Sequence, residues 1–249
     1  MSPLVNVTLP VYNEAEQLAS SVRRVVAFLS GQAQYQWELV IADNGSTDGT
    51  REVAERVKEE GRMKNAETGE LATGIPTRVE RLEQAGLGRA LKAAWLASEA
   101  EVLSYMDIDL STDLVHLPEL IGAVAEGRAD VAVGSRLLPE SRTTRAWKRE
   151  LISRTYNRLL RVGLGLRVRD AQCGFKAISR RAAQARLPQV RDPGFFFDTE
   201  LLVLAQRGGW RVLELPVRWV EDPDSRVRLW RTIGEDFKGI WRMQTRRED

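Results

Sequence analysis

A chain of 249 residues with 43% hydrophobic side chains is long enough and apolar enough for one large α/β domain, which excludes a wholly disordered protein. Its formal charge of +2 is small and conceals an uneven spread of cations, while the lone Cys173 excludes an internal disulfide and fits a reducing cytosolic setting. No basic segment followed by an apolar stretch opens the chain, and no apolar run nears the roughly 20 residues that span a bilayer, so a soluble or peripheral protein is expected.

Leu4 to Leu9 reads as the first strand, ended by Pro10. Asn13 is expected to cap a helix to about Leu29, with Leu18, Val22, Val25, Val26 and Leu29 at helical spacing. Trp37 to Ala42 is the second strand, and Ser46 or Thr47 is expected to cap a helix through about Glu60. Residues 61–76, rich in Gly, Thr and Glu, read as a surface insertion. Thr77 to Leu82 is a third strand, followed by a helix from about Leu87 to Ser98. The apolar run ending at Met106 is a short buried strand, and a helix around Leu114 to Ala125 and a strand from Asp130 to Gly134 follow it. Such alternation implies a mainly parallel, Rossmann-like sheet with helices on both faces and a ligand at the carboxyl ends of its strands.

The second half is less regular. Residues 141–169 hold nine Lys and Arg against Glu150 alone, interleaved with Trp147, Leu151, Tyr156, Leu159, Leu160 and Val162. This basic amphipathic pattern suits an anionic membrane surface or, equally simply, a solvated helix face. A helix starts near Phe195, Trp210 to Leu215 and Val217 to Val220 look extended, and Arg228 to Met243 is a final amphipathic helix.

Asp107-Ile108-Asp109 stands at the end of the buried strand. Two carboxylates one residue apart can hold Mg²⁺ or Mn²⁺ by oxygen ligation, the cation being shared with waters and substrate phosphates. Taken alone, such a pair is more economically an ordinary strand-ending turn. Asp43 could accept from a nucleobase imide N–H, and Asp48 could hold a ribose or order its loop; the alternative is a pair of Asx- and Gly-rich turns that cap helices. Arg136 follows a strand and could grip a phosphate with its fork of donors, or be a solvated loop arginine. His116, beside Leu117, reads as packing, and Cys173 as a small packed residue.

Taken together, Pro10-Val-Tyr-Asn-Glu14, Asp43-Asn-Gly-Ser-Thr-Asp48-Gly49, Gly86-Leu-Gly88-Arg-Ala90, Asp107-Ile-Asp109 and Gly134-Ser-Arg136 resemble, in order and spacing, the family 2 glycosyltransferases of GT-A fold. Arg169-Asp-Ala-Gln-Cys-Gly-Phe-Lys176 and Phe196-Phe-Asp-Thr-Glu-Leu-Leu202 are similar to segments of dolichyl-phosphate β-glucosyltransferases and the related mannose synthases. The chain departs from that pattern with Glu83-Gln84-Ala85 before the glycines, with Ile108 between the acids, and with Ser111 where relatives often carry Gln.

The resemblance implies inverting transfer of a hexose, leading candidate glucose from UDP-glucose, to a polyprenyl phosphate; GDP-mannose as donor, or a hydroxyl acceptor with Asp198 as base, is the alternative. It implies donor contacts from Pro10, Tyr12, Glu14, Asp43, Asp48, Gly86, Gly88, Arg89, Asp107 and Arg226, with Asp107 and Asp109 on the metal and Arg136 on a phosphate. Arg149, Arg154, Gln172 and Lys176 are the expected acceptor contacts. Asp198 and Glu200, two apart, cannot share a helix face, so at most one is expected to face the donor, and the resemblance favours Asp198. A GT-A domain is expected over 1–222, its donor half to about 136 and its acceptor half from 137, followed by a loop and amphipathic helix over 223–249. A nucleotide-sugar donor, a lipid phosphate, an anionic membrane surface and a membrane-protein partner are the expected associations, with no nucleic acid.

Overall fold

The computed structural model describes residues 2–62, 74–221 and 229–245. Most of the expected 61–76 insertion, and Ser225 with Arg226, lie outside the described residues.

The first half alternates as expected: β1 (Leu4–Val11), α1 (Ala15–Ser30), β2 (Gln36–Asp43), α2 (Thr50–Arg62), β3 (Thr77–Arg81), α3 (Leu87–Leu96), β4 (Val102–Met106), a 3₁₀ turn (Leu114–His116) running into α4 (Leu117–Ala125), and β5 (Val131–Ser135). The second half supplies β6 (Arg142–Thr144), α5 (Trp147–Leu164), β7 (Phe175–Ser179), α6 (Arg180–Arg186), α7 (Phe197–Arg207), β8 (Val212–Pro216), β9 (Arg218–Val220) and α8 (Leu229–Thr245). Seven strands form one sheet in the order β3-β2-β1-β4-β7-β5-β8, and β6 pairs with β9 in a small separate ribbon. Every pairing in the large sheet is parallel except those of β7, which runs antiparallel to both β4 and β5.

Apolar side chains cover both faces of this sheet, because successive residues of a strand point to opposite sides. Along β4, Leu103 and Tyr105 enter the cluster that includes Trp95, Leu160, Phe197 and Leu202, whereas Val102 and Met106 enter the one that includes Leu18, Val22 and Leu120. Ile240 and Met243 of α8 belong to the first cluster, so this helix packs into the same core as the sheet.

Three local expectations are corrected. Asn13 does not cap α1: it sits at φ 58°, and Glu14 is the cap residue. The first amides of α1 are instead met across the chain, Glu14 N–H by Thr50 Oγ1 at 2.8 Å and Ala15 N–H by Asp48 Oδ2 at 3.4 Å. Neither Ser46 nor Thr47 caps α2, which starts later, with Asp48 Oδ1 accepting from Thr50 N–H at 2.9 Å. Finally, β7 falls where no strand was expected: Lys176 interrupts its apolar pattern, yet the lysine is buried, with a partner described below.

Candidate functional site

The reversed β7 brings a second piece of chain to the carboxyl end of β4. Met106 pairs with Phe175, and the next residue, Asp107, donates its backbone N–H to the Gly174 carbonyl at 3.0 Å. A Cβ at position 174 would lie 2.0 Å from Asp107 Oδ2, so only glycine lets the carboxylate rest there. Ile108 is buried, as expected, and anchors the turn between the two acids. Asp109 Oδ1 accepts from Ser111 N–H at 2.9 Å. The Asp107 carboxylate takes part in no hydrogen bond among the described residues. Solvent reaches the side chain, yet crowding by protein, then the charges of Asp109 and Asp198, push its pKa up to about 7 against the pull of Arg136 and Lys176.

Among the described residues no group of three or more His, Cys, Asp or Glu forms a complete metal cage. A carboxylate pair does match a hard cation that takes one or two protein ligands and completes its shell with water and phosphate. Asp107, crowded by protein, repelled by its acidic neighbours and without a hydrogen bond, is the kind of anion such a cation relieves.

Beneath the pair lies a buried polar triad. Tyr105 Oη donates to Asp198 Oδ2 at 2.5 Å, and Lys176 Nζ lies 3.2 Å from Asp198 Oδ1 while also donating to the Cys173 carbonyl. Burial raises the Asp198 pKa, opposed by Lys176 and Tyr105. Cys173 is fully buried and its thiol is pushed up to about 12, which fits the packing role expected of it. Glu200 points elsewhere: its Oε2 accepts from Asp192 N–H at 2.8 Å and from Arg242 Nη2 of α8 at 2.9 Å. As helix geometry requires, only Asp198 turns toward the acid pair.

Arg136 is held from beside. Its Nε and Nη2 reach Asp170 Oδ2 and Oδ1 at 2.7 and 2.9 Å, and its backbone N–H bonds the same carboxylate at 3.0 Å. Although burial works against both charges, the pairing keeps Asp170 below the usual carboxylate range and Arg136 above its ordinary value. Arg136 and Arg145 both lie against the Trp219 ring, at 5.5 and 5.0 Å from its centre.

At the donor side, Asp43 is fully buried; Oδ1 accepts from Ser46 N–H at 3.0 Å, and Oδ2 has no partner. Pro10 lies in β1 and Tyr12 is exposed just beyond it, while Glu14 Oε2 accepts from Gln17. Asp48 is taken up in the loop: burial raises it, but bonds from Thr50 and Ala15 hold it below its usual value. Of its two expected uses, the structure displays loop ordering.

The glycine-rich turn differs from expectation in its physical cause. Cβ atoms at Gly86 and Gly88 would come 2.3 Å from the Pro193 carbonyl oxygen and 2.5 Å from Phe197 Cβ. The amides of Gly88 and Arg89 donate to the Gly194 and Pro193 carbonyls, both at 3.2 Å. These glycines seat α3 against residues 192–197, and the helix's opening amides are used within the protein. Arg89 itself donates to the Ala85 carbonyl.

The expected acceptor contacts are likewise engaged. Arg149 pairs with Glu221 at 2.7 Å and Arg154 with Glu150 at 2.6 Å, while Gln172 reaches Asp236 of α8 at 3.4 Å. Lys176, 1% exposed, supports Asp198 from below and presents no open face to an acceptor. Gly174 and Tyr105 were not singled out from sequence. Gly174 had a signal, a glycine in the loop expected to line the pocket, whereas Tyr105 reads only as one more apolar position of β4.

Seven strands in the order β3-β2-β1-β4-β7-β5-β8, with β7 reversed and helices packed against the sheet, make a GT-A fold. The glucosyl-3-phosphoglycerate synthase of Mycobacterium tuberculosis, solved with UDP, superposes with a TM-score of 0.68 at 20% identity over 99% of this chain and 82% of that one. Its complex with Mn²⁺, UDP and glucosyl-3-phosphoglycerate gives 0.67 at 19% identity, over 99% and 81%. Among relatives in sequence, glycosyltransferase AglD of Haloferax volcanii is 40% identical over 234 residues, 92% of this chain but 35% of that protein. The polyprenol monophosphomannose synthase of Mycolicibacterium smegmatis is 33% identical over 86% of this chain and 77% of its own length. A dolichyl-phosphate beta-glucosyltransferase of Saccharomyces cerevisiae is 26% identical over 90% and 69%. The model of glycosyl transferase family 2 matches residues 6–187, and the chain belongs to that family.

Proposed function

We propose that this chain moves a hexose from a nucleoside-diphosphate sugar to a polyprenyl phosphate with inversion at the anomeric carbon, in a reaction that needs Mg²⁺ or Mn²⁺. The observation that carries the reading is Asp107, a crowded and unbonded carboxylate at the end of β4, beside Asp109 and facing Asp198. A bound cation supplies Lewis-acid stabilisation of the departing diphosphate. Asp109 and Asp107 hold it, and Gly174 fixes where the Asp107 carboxylate lies. Asp43, with an unpartnered buried oxygen, accepts from the nucleobase, and Tyr12, exposed beyond β1, covers the base. Pro10 and Glu14 line the same donor edge, with Arg226 closing over the diphosphate.

A lipid phosphate is already ionised near neutral pH, so the acceptor needs alignment and charge compensation more than a base. Arg136, locked by Asp170, offers that charge with little freedom left to lose. Asp198, clamped between a phenol and an ammonium, keeps negative charge opposite the sugar and orders the pocket floor. The protein works peripherally at the cytoplasmic face of a membrane, directly on an anionic surface or through a membrane-protein partner; no described helix is long and apolar enough to cross one.

Glucose from UDP-glucose is the leading donor, in line with the names of several relatives. A mannosyl donor is the second reading, favoured by the higher identity of the mycobacterial mannose synthase, 33% against 26–28% for the glucosyltransferases. Incubation with labelled UDP-glucose or GDP-mannose, polyprenyl phosphate and Mn²⁺, followed by organic extraction, decides between them. Label should enter the organic phase and vanish in Asp109→Ala. Full transfer by that variant sinks the metal assignment.

A further inference from the structure

Two neighbouring helices leave their outer sides apolar. Tyr156 of α5 bonds Asp236 of α8, and further along Gly163 meets Ile240 and Gln244, so the two lie side by side in the same direction. On the sides turned away from the core, α5 exposes Trp147 (71%), Leu151 and Val162 (79%), and α8 exposes Phe237 and Trp241 (69%). Spacings of four, seven and four from Trp147 through Leu151 and Arg158 to Val162 keep these residues on one stripe of α5, while Tyr156, Leu160 and Leu164 face the core. A helix that exposes aliphatic and indole groups at this level is not adapted to water alone.

The charges beside the stripe are almost all of one sign. α5 carries five Lys and Arg against Glu150, and Glu150 is already bonded to Arg154. Lys148, Arg158 and Arg161 are exposed among the apolar groups, and Lys238 continues the pattern on α8. Two such faces repel one another, which opposes self-association. Indoles and leucines flanked by lysine and arginine match the boundary between acyl chains and anionic headgroups, where the stems lie along apolar surface and the charged ends reach phosphate.

We propose that the outer faces of α5 and α8 together form one docking surface for an anionic lipid bilayer, with Trp147, Leu151, Val162, Phe237 and Trp241 entering the headgroup region. This deepens the polyprenyl-phosphate reading and rests on it for its purpose. The same helices hold the loop beside the acid pair. Asn157 of α5 accepts from Ala171 N–H at 2.9 Å, and Asp236 of α8 accepts from Gln172. That loop carries Asp170, which fixes Arg136, and Gly174, which receives Asp107. The two helices that carry the docking face thus bear, on their inner sides, on the loop that furnishes half of the site.

Flotation of the full chain with phosphatidylcholine vesicles, with and without phosphatidylserine, tests this. The chain should float only with the anionic vesicles, and high salt should weaken binding. The double variant Trp147→Ser/Trp241→Ser and the pair Arg158→Glu/Arg161→Glu should each lower vesicle affinity by about tenfold or more. Transfer to a short, water-soluble isoprenyl phosphate should stay within about twofold of wild type in both, which also reports that they fold. Equal flotation of wild type and the double variant overturns the proposal, as does a concentration-dependent dimer in sedimentation that both double variants abolish. If wild type floats but labels no polyprenyl phosphate, the docking surface stands and the acceptor reading falls; labelling without flotation sinks the docking surface alone.

Discussion

Titrating Mn²⁺ into the metal-free protein at several pH values puts Asp107 under direct test. Its pKa of about 7 means that the carboxylate is about nine-tenths ionised at about pH 8 and only about one-tenth at about pH 6. Since the cation needs the ionised form, apparent Mn²⁺ affinity should fall about tenfold over that window. An aspartate at its ordinary value of about 3.9 would give a flat line there. Stability moves in the opposite sense. A carboxyl whose folded pKa is raised contributes stability below its unfolded pKa of about 4, and that contribution is lost as pH rises through about 7. Full conversion of a shift of about 3 units gives roughly 4 kcal/mol; because solvent reaches Asp107, about 1 kcal/mol is the realistic size. Asp107→Asn should therefore melt at higher temperature than wild type near pH 8 without metal, and should gain nothing from added Mn²⁺. Calorimetry and isothermal titration read both quantities. A pH-independent affinity, or an Asn variant less stable than wild type near pH 8, would show that the carboxylate is not electrostatically frustrated.

Gly174→Ala, which forces a Cβ onto Asp107 Oδ2, should lower Mn²⁺ affinity more than about tenfold while circular dichroism stays native; unchanged affinity would mean the carboxylate moves freely. Asp170→Asn strips Arg136 of its buried counter-charge and should cost about 3–5 kcal/mol in urea unfolding, against about 1 kcal/mol or less for the exposed pair partner Arg23→Ala. Gly88→Ala, set against Phe197 and the Asp192 carbonyl, should cost about 1–3 kcal/mol, measured by thermal unfolding; a neutral result would mean that residues 192–197 yield easily.

The parallel half of the fold was legible because β1, β2 and β4 are apolar runs each followed by a helical period, and their side chains are buried in register. β7 was not, since Lys176 breaks its pattern and the reason for burying a lysine, the Asp198 carboxylate, lies 22 positions away in the sequence. Spacing alone said that no more than one of Asp198 and Glu200 could face the acid pair; the choice of Asp198, like the weight given to the acid pair, came from the family resemblance. What the glycines at 86 and 88 do was not readable, because a glycine reports a close approach without naming the partner. Arg149 illustrates the same limit: sequence marks a cation, and only the fold shows Glu221 beside it, whereas Glu150 lies one helical turn before its partner Arg154.

Turning a single strand around has a consequence for how such a chain can change. Since β7 descends where its neighbours rise, the residues that enter it arrive at the same rim from which β4 and β5 depart. One rim is thereby furnished by two separate stretches of sequence, the ends of β4 and β5 and the loop that leads into β7. The two stretches are interlocked, since Asp170 of the loop holds Arg136 after β5 and Gly174 makes room for Asp107 after β4, so a change on one side of the rim must be matched on the other.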